Sequence, residues 1–254
     1  MLVAERREKI IDIVNNKKSI RVTELSEFFS VTEETIRRDL ESLEKDKKIR
    51  RSHGGALSIV TSDTTEIPYF EREIINIEEK KEISLEAVKF VSKGDKIFLD
   101  ASTTAWYMAQ QLPNITLTVV TNSLKVALEL SDKNKIKVLS TGGKLLKKSL
   151  SYVGSKAEQS VDNYHVDKAF ISCKGLHISY GLSESHEQQA VVKEKMLQNA
   201  AESYIMIDNT KIGVKSFSRI GNLDLIDTII TDSQTKQELI QYFEEKDVPV
   251  IQPD

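Results

Sequence analysis

The chain has 254 residues, room for two domains of ordinary size. Its hydrophobic share (39%) and charged share (30%) are those of a globular protein, and no run approaches the ~20 apolar residues of a membrane helix. One cysteine, Cys173, excludes an intramolecular disulfide and a cysteine-built zinc site, and no cofactor or metal is expected.

The formal charge of −3 does not suggest a nucleic-acid binder, but its distribution does. Residues 1–58 hold 13 Lys/Arg against 11 Asp/Glu, a net of +2, while the remainder holds 23 against 28, a net of −5. Within 37–51, seven basic residues (Arg37, Arg38, Lys45, Lys47, Lys48, Arg50, Arg51) face four acidic ones. A modest basic end on an acidic body fits a small DNA reader attached to something else. Glu5, Arg6, Arg7 and Glu8 stand where a secretory signal would be apolar, so the cytoplasm is the expected compartment.

Ile10, Ile11, Ile13 and Val14 predict a first amphipathic helix over 3–15. A short second helix spans 23–29, with Thr23 as its expected N-cap, and Ser30-Val31 makes the turn. Thr32 caps a third helix, in which Glu33 and Glu34 sit at the positive end. Ile36, Leu40 and Leu43 make its buried stripe and leave Thr35, Arg37, Arg38, Glu41 and Ser42 on other faces. Lys48 to Ile59 reads as a hairpin turning near Gly54-Gly55, and 59–75 reads as a linker. From 76 the pattern alternates. Helices are predicted at 76–92, 103–112, 123–130, 155–162, 187–201 and 234–244. Strands are predicted at 96–99, 116–120, 136–140, 168–172, 203–207 and 228–230. Short apolar strands alternating with helices predict an α/β domain over 76–254, built on a mostly parallel sheet.

Three helices, a tight turn and a basic hairpin make a winged helix-turn-helix. Residues near the N-terminal end of its recognition helix reach base edges in the major groove. Thr35 and Arg38 are the foremost candidates for base contact, with Arg37 next. Arg can donate two bonds to guanine, and a Thr methyl can touch a thymine methyl. Lys48, Arg50, Arg51 and His53 on the wing are candidates for phosphate or minor-groove contact. Thr23 and Thr32, at helix starts, can meet phosphates through a hydroxyl and a free amide. A charged helix and polar hairpin are often merely solvated, so the weight lies on the combination rather than on Arg37-Arg38 alone.

These residues resemble the DNA-binding domain of the DeoR family of bacterial transcriptional regulators. Arg6, Ile10 and Val14 match the start of that family's signature. Thr32-x-x-Thr35-Ile36-Arg37-Arg38-Asp39-Leu40 matches its core, and His53-Gly54-Gly55-Ala56 its wing. The resemblance runs nearly the whole chain. It implies that Asp39 orients its neighbours, with Arg37, Arg38 or a lysine as partner. It also implies a C-terminal sensor similar in fold to ribose-5-phosphate isomerase, with a phosphorylated sugar as effector.

The residues agree in part, because ligands of open α/β sheets bind beyond the C-terminal ends of strands. Five such ends carry polar or small residues. They are Asp100 with Ser102, Thr103 and Thr104; Thr121-Asn122; Gly142-Gly143; Lys174-Gly175; and Asp208 to Lys211. Lys211 is the candidate for a phosphate or sugar oxygen, and Asp100 for a sugar hydroxyl. Singly, most of these residues are ordinary helix caps, turns or solvated cations. Two departures stand out: Ser102 sits where the family usually has Gly in or beside that position, and His186 and Gln189 sit where it often has Asn and Glu. His186 is an effector candidate. A sugar-phosphate isomerase or deaminase with an accessory DNA-binding domain is the alternative class. It needs a positioned acid and base, and Ser172-Cys173-Lys174-Gly175-Leu176 lacks the carboxylates that the isomerases carry there. The sequence therefore reads as a non-catalytic repressor of a sugar operon, a dimer or tetramer on double-stranded operator DNA.

Overall fold

A computed structural model describes residues 3–17, 19–46, 48–52, 54–58 and 66–253. The chain divides into two compact units, residues 1–77 and 78–254.

The first unit contains α1 (Val3–Lys17), β1 (Ser19–Arg21), α2 (Val22–Phe29), α3 (Glu33–Lys45), β2 (Ile49–Ser52), β3 (Gly55–Ser58) and α4 (Tyr69–Glu73). Ile10, Val14, Leu25, Ile36, Leu40 and Leu43 form its core, so the predicted stripe of α3 is the buried one. Three features differ from the sequence reading. The wing has a third strand: β1 pairs antiparallel with β3, giving the order β1-β3-β2. Because β1 runs directly into α2, the helix starts one residue early at buried Val22, and Arg21 takes the cap position. Thr23 therefore lies inside the first turn and does not cap. Within the segment read as a linker, 69–73 is helical, anchored by fully buried Tyr69; residues 59–65 lie outside the described residues.

The second unit begins with α5 (Ile77–Val88), β4 (Lys96–Leu99), α6 (Thr103–Gln111), β5 (Leu117–Thr121), α7 (Leu124–Leu130) and β6 (Ile136–Ser140). A hairpin of β7 (Lys144–Leu146) and β8 (Ser151–Val153) follows, then α8 (Ser155–Asp162) and β9 (Val166–Ile171). Next come β10 (Gly175–His177), β11 (Gly181–Glu184), α9 (Glu187–Gln198), β12 (Ala200–Met206), β13 (Ser218–Gly221), β14 (Thr228–Ile230), α10 (Gln237–Glu244) and β15 (Val250–Ile251). Seven strands form one parallel sheet in the order β15-β14-β12-β9-β4-β5-β6. Alternation along β4 assigns its two faces. Phe98 packs with Val161, Val192, Met196 and Phe243, whereas Ile97 and Leu99 pack with Ile83, Met108, Val126 and Leu130. Helices thus cover both faces, as a parallel sheet requires.

The strand order fixes where a ligand can enter. From β4 the chain winds outward through β5 to β6, then returns to the other side of β4 as β9 and winds through β12 and β14 to β15. In open α/β sheets such a reversal is where a ligand crevice forms, here at the C-terminal ends of β4 and β9. A second small sheet, β10-β11-β13, is built from the loops after β9 and β12. These short strands went unread because three or four residues carry no usable alternation.

Candidate DNA interface and effector site

The interface is built around α3. Thr32 is extended, and its side chain accepts from the Thr35 amide at 3.3 Å. Arg37 pairs with Glu33 at 2.7 Å and Arg38 with Glu34 at 3.3 Å, each one turn back along the helix. Exposed pairs of this kind contribute about 0.3–0.5 kcal/mol, so both guanidinia can leave them for DNA at small cost. On the wing, Lys48 and Arg51 are exposed, and Glu44 accepts from the Arg51 amide at 2.9 Å. His53 and the side chain of Arg50 lie outside the described residues.

Asp39 corrects the expected pairing. It is buried, and its partners come from α1: Arg6 Nε donates to Oδ2 at 2.6 Å and Arg7 Nε to Oδ1 at 2.9 Å. At 40° past Thr35 around the helix, Asp39 points towards α1, away from Arg37 and Arg38. The signature Arg6 is thus half of a buried ion pair that locks α3 onto α1. Sequence spacing could not show a partner 33 residues away.

In the second unit, the crevice between β4 and β9 is closed underneath by ions. Asp100 follows β4 and is fully buried. Its Oδ1 accepts from the Ser102 amide at 3.3 Å and hydroxyl at 2.6 Å; its Oδ2 accepts from the Ser172 amide at 3.3 Å and faces Lys193 Nζ at 3.2 Å. Three hydrogen bonds and the Lys193 ammonium hold this buried carboxylate, which ties Asp100 to its own surroundings. Lys193, from α9, also donates to the Ser172 carbonyl at 2.8 Å and to Glu184 at the end of β11. Burial works against its charge, but Glu184 and Asp100 outweigh burial and hold it above the ordinary lysine range. Sequence reading missed Lys193 and did not name Glu184 as a site residue; they lie on a helix and a short strand rather than at the ends of the main strands. The segment 172–176 carries no carboxylate, as read, but Asp100 and Glu184 from neighbouring elements are both tied to the one Lys193 ammonium.

The remaining candidates separate into supports and open groups. Ser102 caps α6, accepting from Ala105 N at 3.0 Å, and Thr103 and Thr104 are buried in that helix's first turn. Thr121 Oγ1 accepts from the Ser123 amide at 3.0 Å. Asn122 donates to the Tyr152 carbonyl at 3.1 Å, while its Oδ1 is buried with no protein partner among the described residues. Gly143, at φ +112°, packs where a Cβ would stand 2.8 Å from the Val153 carbonyl, so Gly142-Gly143 is required by its turn. Gly175 passes close to the Val214 carbonyl, and half-buried Lys174 precedes it. His186 occupies the cap position of α9 without making a cap bond, and its buried Nδ1 has no protein partner among the described residues. Lys211 is partly exposed and pairs with buried Asp208 at 3.1 Å. Burial opposes the Asp208 charge, but Lys211, the Thr210 bonds and Lys80 outweigh it and hold the carboxyl down at about 2. Cys173 sits beneath the same loops, its thiol pushed up to about 12 by burial and therefore unreactive.

A winged helix with exposed recognition-helix arginines, carried with a parallel α/β unit, defines a DNA-binding transcriptional regulator. Comparisons narrow the class. A family profile described as "DeoR-like helix-turn-helix domain" matches residues 6–62, and one described as "DeoR C terminal sensor domain" matches residues 75–233. The chain is 54% identical to the HTH-type transcriptional regulator YulB of Bacillus subtilis, covering 98% of this chain and 96% of that one. It is 36% identical to the L-fucose operon activator of Escherichia coli (91% and 96%) and 33% identical to the transcriptional repressor GlcR of B. subtilis (99% and 96%). Ribose 5-phosphate isomerase A of Methanocaldococcus jannaschii aligns at 20% identity and a TM-score of 0.41, over 54% of this chain and 55% of that one. The chain belongs to the DeoR family of transcriptional regulators.

Proposed function

We propose that this regulator represses a sugar-utilisation operon and is controlled by a phosphorylated sugar bound at the crevice between β4 and β9. The observation that carries the proposal is the reversal of strand order, which gathers the polar loops of β4, β5, β9 and β12 around one opening. Lys211 takes the phosphate. Asn122, Lys174, His186 and the loops at Ser102–Thr104, Thr121 and Gly142-Gly143 shape the rest, with Asp100 and Asp208 as scaffold. The named relatives include an operon activator for L-fucose and a repressor, which supports sugar control with either sign; we take repression. We take the second unit to bind without catalysing, a reading supported by its buried carboxylates Asp100 and Glu184 both being held by the Lys193 ammonium. Two copies would set their recognition helices into half-sites about 34–36 Å apart on cytoplasmic DNA. Thr35 and Arg38, and next Arg37, read bases; Lys48, Arg50, Arg51, His53, Thr23 and Thr32 hold the backbone or minor groove.

Two measurements test this. Arg38→Ala should cost about 1–3 kcal/mol and relax specificity at one base pair. A uniform loss across sequences would make Arg38 a phosphate contact instead. In a screen of phosphorylated sugars by thermal shift, one ligand should stabilise the wild type and fail on Lys211→Ala. Stabilisation of neither protein by any sugar would refute the effector assignment.

A further inference from the structure

The recognition helix is a poor polycation. α3 holds five acidic residues (Glu33, Glu34, Asp39, Glu41, Glu44) against three basic ones (Arg37, Arg38, Lys45). Protein–DNA affinity comes largely from cations that displace counterions from phosphates. Neighbouring elements must therefore supply charge beside α3, and the wing is one source. We propose that Arg7 on α1 is a second: a phosphate contact that flanks the recognition helix.

Buried Asp39 does not need Arg7 for neutrality. Arg6 already meets it at 2.6 Å, and the Arg6 side chain is only 10% exposed. Arg7 is the added charge, leaving the cluster of two guanidinia and one carboxylate with a net +1. Its side chain is 33% exposed, against 3% for Asp39, so part of it reaches solvent. The guanidinium is also fixed. Nε donates to Asp39 at 2.9 Å and Nη1 to Ser42 Oγ at 2.8 Å. Two acceptors set the plane of the group and leave the Nη2 edge without a protein partner among the described residues. A guanidinium held this way binds a phosphate with little further loss of side-chain entropy.

The anchor point gives the direction. Thr35, Arg38 and Ser42 follow one another at spacings of three and four, so the three share one stripe, about 120° from the buried line of Ile36, Leu40 and Leu43. The N-terminal part of that stripe enters the major groove. Its later turns climb towards the backbone that walls the groove, where contacts go to phosphates. Arg7 lies beside Ser42, in that second half.

The test is the salt dependence of DNA binding by the full chain. The probes are a random-sequence duplex and a duplex that the wild type has enriched from a randomised pool. For Arg7→Gln, the slope of log affinity against log salt should shrink by about 0.9 per protomer on both duplexes. Affinity should fall roughly ten-fold at low salt. Arg7→Lys should restore most of the slope. Ser42→Ala, which frees the guanidinium but keeps its charge, should weaken binding while retaining the slope. Thermal unfolding of each variant identifies one that fails to fold. A folded Arg7→Gln protein with an unchanged slope overturns the proposal and leaves Arg7 a brace for α3. So does a slope that Arg7→Lys fails to restore.

Discussion

With Lys193 removed, Asp100 and Glu184 would face each other buried and without a counter-charge. Breaking such a group by deleting one partner costs about 3–5 kcal/mol, whereas losing a partly exposed pair costs about 1 or less. Lys193→Met should therefore lower the unfolding free energy of the second unit by several kcal/mol in urea titration. Lys211→Ala should change it little and act on ligand binding instead. Equal effects of the two would mean that the sealed cluster is no more structural than the open lysine. This contrast was half legible in the sequence. Asp100, Asp208 and Lys211 follow strands, where polar residues attract notice. Lys193 sits among Val191, Val192 and Glu194 on a helix, and only the fold brings its ammonium to Ser172, 21 positions away.

At the scale of elements, what the sequence revealed depended on how local the determining contact is. Thr32 caps α3 through a bond three residues long, and Ile36, Leu40 and Leu43 repeat at helical spacing, so α3 could be placed correctly. Six of the seven parallel strands followed from short apolar runs between helices, while two-residue β15 did not. By contrast β1 has three residues, and its pairing with β3 spans more than 30 positions. Gly55 shows what was hidden: the hairpin alone suggested a turn glycine, yet its role is close packing. A Cβ there would stand 2.0 Å from the Ile20 carbonyl of β1. Gly55→Ala must push the two strands apart, at a cost of about 1–3 kcal/mol by analogy with overpacked cores. We expect the first unit to unfold at lower temperature and DNA binding to weaken, while ligand-induced stabilisation of the second unit persists. An unchanged melting profile would show that β1 is dispensable to the wing.

For the molecule as a whole, the proposed function links effector and DNA through one free energy. If the sugar phosphate lowers DNA affinity by some factor, DNA must lower sugar-phosphate affinity by the same factor, expected in the range of about 5–150-fold. Titrating each ligand with and without the other checks this. Unequal factors would mean that a change of oligomer, or a second ligand site, intervenes. The crevice itself has a consequence for engineering. Its floor is a sealed set of ions, while its rim is drawn from loops that the parallel sheet does not depend on. On the proposed site, retargeting such a sensor to another metabolite would mean rewriting the rim around Asn122, Lys174 and His186. Asp100, Glu184 and Lys193 form the chassis that any working library should leave intact.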